Sequence, residues 1–136
     1  MVIGRIKAAL ERRKQRKIEE EIEKNRLESY RGTEQMQKAE QIKKEADRLA
    51  HLKQYKTAIE EYFKALEAFP FDDKETKFRK PAEFFFKIFF NIAASYSFMN
   101  KLDNAIEFFD KSLKIENIDD ENKVKALMSK GSCYYK

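Results

Sequence analysis

Two stretches of this chain repeat one another position for position. Ile42-x-x-Glu45-Ala46-x-x-Leu49 followed by Ala58-x-x-x-Tyr62 superposes on Phe89-x-x-Ile92-Ala93-x-x-Tyr96 followed by Ala105-x-x-x-Phe109, and the first residue stands 16 positions before the later alanine in both. Apolar residues three and four apart share one face of a helix, and the small alanines recur where two helices would have to come closest. The spacing predicts one pair of antiparallel helices used twice, over about 39–69 and 86–115.

Composition agrees with an all-α chain. With 39% charged residues and only three Gly and two Pro in 136, turn-formers are too few for a sandwich or barrel. One cysteine, Cys133, excludes an internal disulfide framework. One Cys and one His supply neither a structural zinc site nor an oriented catalytic pair. We therefore expect no cofactor and a reducing, cytoplasmic compartment. No apolar run approaches the roughly 20 residues of a spanning helix, and charge begins at Arg5, which leaves no room for a signal-peptide core. There is no calcium-loop spacing, no phosphate-cradling glycine run and no evident carboxylate pair, so the expectation is a protein that is not an enzyme. His51 reads as a surface or groove-lining residue, and not as a catalytic base.

Along the chain, residues 1–32 read as one long charged helix with a thin apolar stripe of Ile3, Ile6, Leu10, Ile18, Ile22 and Leu27. A break is expected at Arg31-Gly32-Thr33, where Gly32 suits a left-handed helix end and the Thr33 hydroxyl suits the next cap. A helical repeat domain over 33–136 should follow. Pro70 stops the helix before it, 70–80 is a connector, and Pro81 opens a helix rich in Phe. Asp103 is expected to cap the following helix, and Asp119-Asp120-Glu121 to start the last one.

The repeated residues resemble the tetratricopeptide pattern, through Ala58 to Tyr62, Ala65-Leu66 and Pro70 in the first unit and Tyr96 through Ala105, Phe109 and Leu113 in the second. A third unit begins at Val124 with Leu127, Gly131 and Tyr134. The resemblance covers about 39–136 and implies a solenoid of antiparallel helix pairs behind the long charged helix. Several positions depart from the pattern. Glu45 and Lys130 replace Leu, Asn117 replaces Pro, and Ala58 and Ala105 lie 47 positions apart where a repeat takes about 34. The extra residues fall within 70–85.

That resemblance implies an inner face made by the first helix of each pair. It places there Lys43, Asp47, His51, Lys87, Phe90, Asn91, Ala94, Phe98, Lys125, Met128, Ser129 and Ser132, of which Lys43, Asp47, Lys87, Phe90, Asn91, Phe98, Lys125 and Met128 are the candidate partner-binding residues. Lysines attract carboxylates, Asn91 suits a peptide backbone, and Phe90, Phe98 and Met128 offer apolar contact. An ordinary solvated face is the competing reading. In co-chaperone and immunophilin members a clamp for a C-terminal carboxylate would fall on Lys43, Asp47, Asn91, Lys125 and Ser129. Asp47 and Ser129 depart from it, the first by setting like charge against a carboxylate. The triplet Phe84-Phe85-Phe86 leaves two readings, a helix buried on both sides or one ring turned outward to a partner, because successive side chains point about 100° apart.

The ends raise separate possibilities. Arg5, Lys7, Arg12, Arg13, Lys14, Arg16 and Lys17 stand against Glu11 alone, before Glu19, Glu20, Glu21 and Glu23. Such a segment fits an exposed helix braced by pairs such as Glu20 with Lys24, half of a coiled coil, an acidic protein surface or an anionic membrane. Nucleic acid is disfavoured, since no aromatic is interleaved and the net charge is only +5. Apolar residues at Cys133-Tyr134-Tyr135 call for cover, from more repeats, from self-capping or from a second copy. The leading expectation is a scaffold that binds a protein or peptide partner through the groove or the aromatic surface. The alternative is an assembly subunit, peripheral to a membrane or not, that oligomerises through its terminal helices.

Overall fold

The computed structural model describes residues 2–72 and 74–135, with side chains placed for 3–22, 34–72, 74 and 76–135. Five α-helices follow in order: α1 (Val2–His51), α2 (Tyr55–Ala68), α3 (Arg79–Phe98), α4 (Leu102–Leu113) and α5 (Asp120–Tyr134), with a 3-10 turn at Glu75–Lys77 before α3. No strand occurs among the described residues. The chain divides into two compact units, Met1–Gln35 and Met36–Lys136.

The expected break at Gly32 is corrected, because the backbone is helical throughout α1. One glycine inside a helix costs only about 1 kcal/mol, and Glu34 to Ala39 are strong helix formers with no proline among them. The capping role expected of Thr33 concerns a side chain outside those described.

In the second unit the two halves of the duplication fold alike. Ala46, Ala58, Ala93 and Ala105 are all 0% exposed, and the equivalent Tyr62 and Phe109 are buried beside them. The pairs close through the same turn. Gln54 N–H donates to Leu49 O and Lys53 N–H to Ala50 O; 47 positions on, Lys101 N–H donates to Tyr96 O and Asn100 N–H to Ser97 O. This crossed pair of bonds puts one residue in the left-handed region, Lys53 at φ 64° and Asn100 at φ 61°. Two short turns of one geometry make both pairs antiparallel.

The helix α3 lies at the centre, packed against α2, α4, α5 and the 3-10 turn. Phe84, Phe85 and Phe86 are all buried, which removes the reading in which one ring turns outward. The segment after α2 covers the first two. Phe69 stacks on Phe85 at 5.4 Å and meets Phe84 edge-on at 5.9 Å, while Phe71 reaches Phe85 at 5.2 Å and Phe89 at 5.6 Å. Phe86 stacks on Phe90 of its own helix at 5.9 Å. The connector is held in turn by Asn117, whose amide donates to Lys77 O over 3.1 Å.

The helix starts are partly as expected. The Asp119 carboxylate accepts from Asn122 N–H at 2.9 Å and caps α5. Asp103 is not a cap, since α4 begins at Leu102 and places Asp103 inside the first turn, where its charge favours the helix dipole instead. The helix α3 begins two residues before Pro81, which still sits in the first turn.

Lys53 has a Cβ in a conformation that favours glycine, whereas Asn100 tolerates it. Lys53→Gly is expected to stabilise the protein by about 1 kcal/mol and Asn100→Gly by distinctly less, read from urea unfolding midpoints at unchanged slope.

Candidate functional site

Helical spacing alone sets Lys43, Asp47 and His51 on one face of α1, and Lys87, Asn91, Ala94 and Phe98 on one face of α3. The fold brings these faces together as the walls of two depressions. One, of about 490 Å³, is lined by Asp47, His51, Tyr55, Asn91, Ala94 and Phe98, among others. The other, of about 360 Å³, is lined by Lys43, Lys44, Lys80 and Lys87 with Glu40, Glu83 and Phe84.

Between them stands Asp47. Its Oδ2 lies 2.8 Å from the Lys43 ammonium, and its Oδ1 accepts from the Tyr62 hydroxyl and, at 3.1 Å, from Asn91 Nδ2. Three elements, α1, α2 and α3, are thereby tied to one carboxylate. Tyr62 is almost wholly buried. Burial first, and then its hydrogen bond to the Asp47 carboxylate, push the Tyr62 phenol far above its ordinary range. It stays protonated as a donor.

This cluster engages three of the expected partner-binding residues in one network. The negative charge of Asp47 is engaged by three internal donors. Asn91 gives one amide hydrogen to that network, and Lys43 is its counter-ion. All three thereby make contacts within the protein as well as facing the depressions.

The other candidates are arranged differently. Phe90 is half-buried, edge-on to Phe109 at 5.4 Å, and the Lys125 ammonium sits 5.0 Å above its ring, a cation–π contact that joins α3 to α5. Phe98 is 69% exposed and stacks on Tyr55 at 5.1 Å, so an aromatic pair lines the larger depression. Lys87 lines the smaller one and is exposed. Met128 is exposed on α5 and lines neither of these two depressions. Cys133, expected to face outward, is buried, and its thiol donates to Ser129 O at 3.5 Å, while Tyr134 and Tyr135 are exposed.

Sequence reasoning passed over Tyr62, Tyr55, Lys44 and Lys80. For Tyr62 a signal existed: the second repeat has Phe109 in its place and Ala94 in the place of Asp47. A hydroxyl added at a core position needs an acceptor, and Asp47 is the matching addition.

The two differences can be undone together. Asp47→Ala leaves a buried hydroxyl without its acceptor and is expected to cost about 2 kcal/mol, while the same change in a Tyr62→Phe background costs distinctly less, because the double variant copies the Ala94/Phe109 pair. Urea unfolding of the four proteins measures the coupling. A phenol whose pKa is raised on folding contributes stability fully below about pH 10 and loses it as pH rises further. Stability above that pH is therefore expected to fall more steeply in the unaltered protein than in Tyr62→Phe.

Among the described residues, no helix is long and apolar enough to cross a membrane. A family model described as "Tetratricopeptide repeat" matches residues 86–119, from the middle of α3 through α4 to the cap of α5. No curated protein matches the chain significantly.

Proposed function

We propose that this chain, which carries a tetratricopeptide repeat at residues 86–119, is a non-enzymatic scaffold that holds an extended segment of a partner protein in the groove between α1 and α3. Repeats of this family generally mediate protein–protein contacts. The observation that carries the choice of surface is the exposed Phe98–Tyr55 stack lining one depression beside a second lined by Lys43, Lys44, Lys80 and Lys87. An aromatic platform takes an apolar side chain, and Lys44 and Lys87, which pair with no described carboxylate, attract an acidic one. The polar cluster at Asp47 lines the same groove, with Asn91 and Tyr62 held in one arrangement before anything binds, which lowers the ordering cost of binding.

A displayed random-peptide library tests this reading. Selected peptides are expected to pair an acidic residue with an apolar or aromatic one. Phe98→Ala and Lys87→Glu are each expected to weaken them about tenfold, with an unchanged circular dichroism spectrum. Failure to enrich any peptide, or enrichment of peptides indifferent to both changes, removes the groove as the binding surface.

The assembly reading keeps support from one observation. Val124, Leu127, Met128 and Tyr134 are exposed along one face of α5. If that face joins two copies, sedimentation velocity gives a concentration-dependent dimer that Leu127→Asp abolishes. A single species at every concentration removes the dimer.

A further inference from the structure

A different surface, on the first unit, carries an inference independent of the groove. Apart from Ala8, every described side chain from Ile3 to Ile22 is exposed. At about 100° per residue Ile3, Ile6 and Leu10 fall within an arc of about 60°, a narrow apolar strip open to solvent. Lys7 and Lys14 border the strip on one side and Arg13 on the other, and Lys17 continues the strip's line about two turns beyond Leu10. Among the described residues, none of the seven Lys and Arg side chains between Arg5 and Lys17 pairs with a carboxylate. Arg5, Arg12 and Arg16 point to the opposite side, but the charge of Lys7, Arg13, Lys14 and Lys17 shares one face with the apolar strip, and neither has an internal partner there.

Four occupants compete for that face, and one of them, an acidic protein surface, would leave vesicles of either composition unbound. A second copy in a coiled coil needs the strip to recur every seven residues, but after Ile3, Ile6 and Leu10 the next seam positions are Arg13 and Lys17, which would meet like charge across the seam. Ile18 and Ile22 do not extend it, because they lie about 100° round the helix. Nucleic acid would meet the cations, yet Ile3 to Ile22 includes no aromatic ring to stack a base and would leave the strip unburied. An anionic lipid surface satisfies both features. The strip enters the acyl boundary while the flanking lysines and arginines reach back to the headgroup phosphates.

We propose that residues 3–17 of α1 lie in the headgroup layer of an anionic membrane surface, with Ile3, Ile6 and Leu10 inserted and Lys7, Arg13, Lys14 and Lys17 on the lipid phosphates. The segment is about 22 Å long as a helix. Glu19, Glu20 and Glu21 bound it, since their charge is repelled by the same surface.

Flotation of the full chain with vesicles of phosphatidylcholine, with and without phosphatidylserine, tests the proposal. Binding is expected only with phosphatidylserine present, and it weakens as salt rises. Ile6→Asp with Leu10→Asp, and separately Lys14→Glu with Lys17→Glu, are each expected to weaken it about tenfold or more; the second pair keeps good helix formers, so it remains informative if the first unwinds the helix. Equal binding to both vesicles, binding to neither, or undiminished binding by both variant pairs overturns the proposal. So does tighter capture of single-stranded RNA that is unaffected by Ile6→Asp, which would identify a purely phosphate-directed surface.

Discussion

Two helices joined by three residues can lie flat against each other only if nothing bulky stands where their backbones approach. Ala46 and Ala58 in one pair, and Ala93 and Ala105 in the next, meet that condition, and all four are wholly buried. A larger side chain there would have to be accommodated by moving a whole helix, at about 1–3 kcal/mol per overpacked site. The close approach also determines what stands next to it. Tyr62 and Phe109, one helical turn beyond Ala58 and Ala105, enter the core because the alanines let the helices come together.

The second repeat could have been displaced by the longer connector before it, but the connector packs. Phe69 and Phe71 bring two rings onto the first turns of α3, the 3-10 turn at Glu75–Lys77 lies against the same helix, and Asn117 ties that turn to the loop before α5. The run of phenylalanines in α3 is therefore matched by aromatic surface on more than one side. A helix with so many rings would be an exposed liability in a chain with a shorter connector.

The duplication is close in its buried positions and divergent on its inner face. Lys43, Asp47 and His51 in α1 correspond to Phe90, Ala94 and Phe98 in α3. Core positions must repeat, because each pair closes by the same contacts; inner-face positions face solvent and are free to differ. The result is a groove whose α1 wall is polar and whose α3 wall sets Phe84 and Phe98 among polar residues such as Lys87 and Asn91. Asp47 belongs to both descriptions, since it lines the groove and also holds Tyr62 and Asn91.

Helical period, small residues and prolines by themselves determined that the chain is all-α, where the repeated pairs lie, that Ala46, Ala58, Ala93 and Ala105 are buried, and that Asp119 starts the last helix. These are local or periodic properties, and each residue carries its own signal. Local signals misled where context was stronger: Gly32 does not end a helix that the strong formers from Glu34 onward continue, and Asp103 lies two residues too late to cap. Only the tertiary structure decided that the three consecutive phenylalanines are all covered, because the rings over Phe84 and Phe85 come from a connector with no periodicity to read. It alone decided that Tyr62 and Asn91 both bind Asp47, because a hydrogen bond between Asp47 and a residue 44 positions away depends on how α1 and α3 are laid together, which no spacing within either helix records; only the Lys43–Asp47 pair, four residues apart on α1, has a spacing the sequence shows.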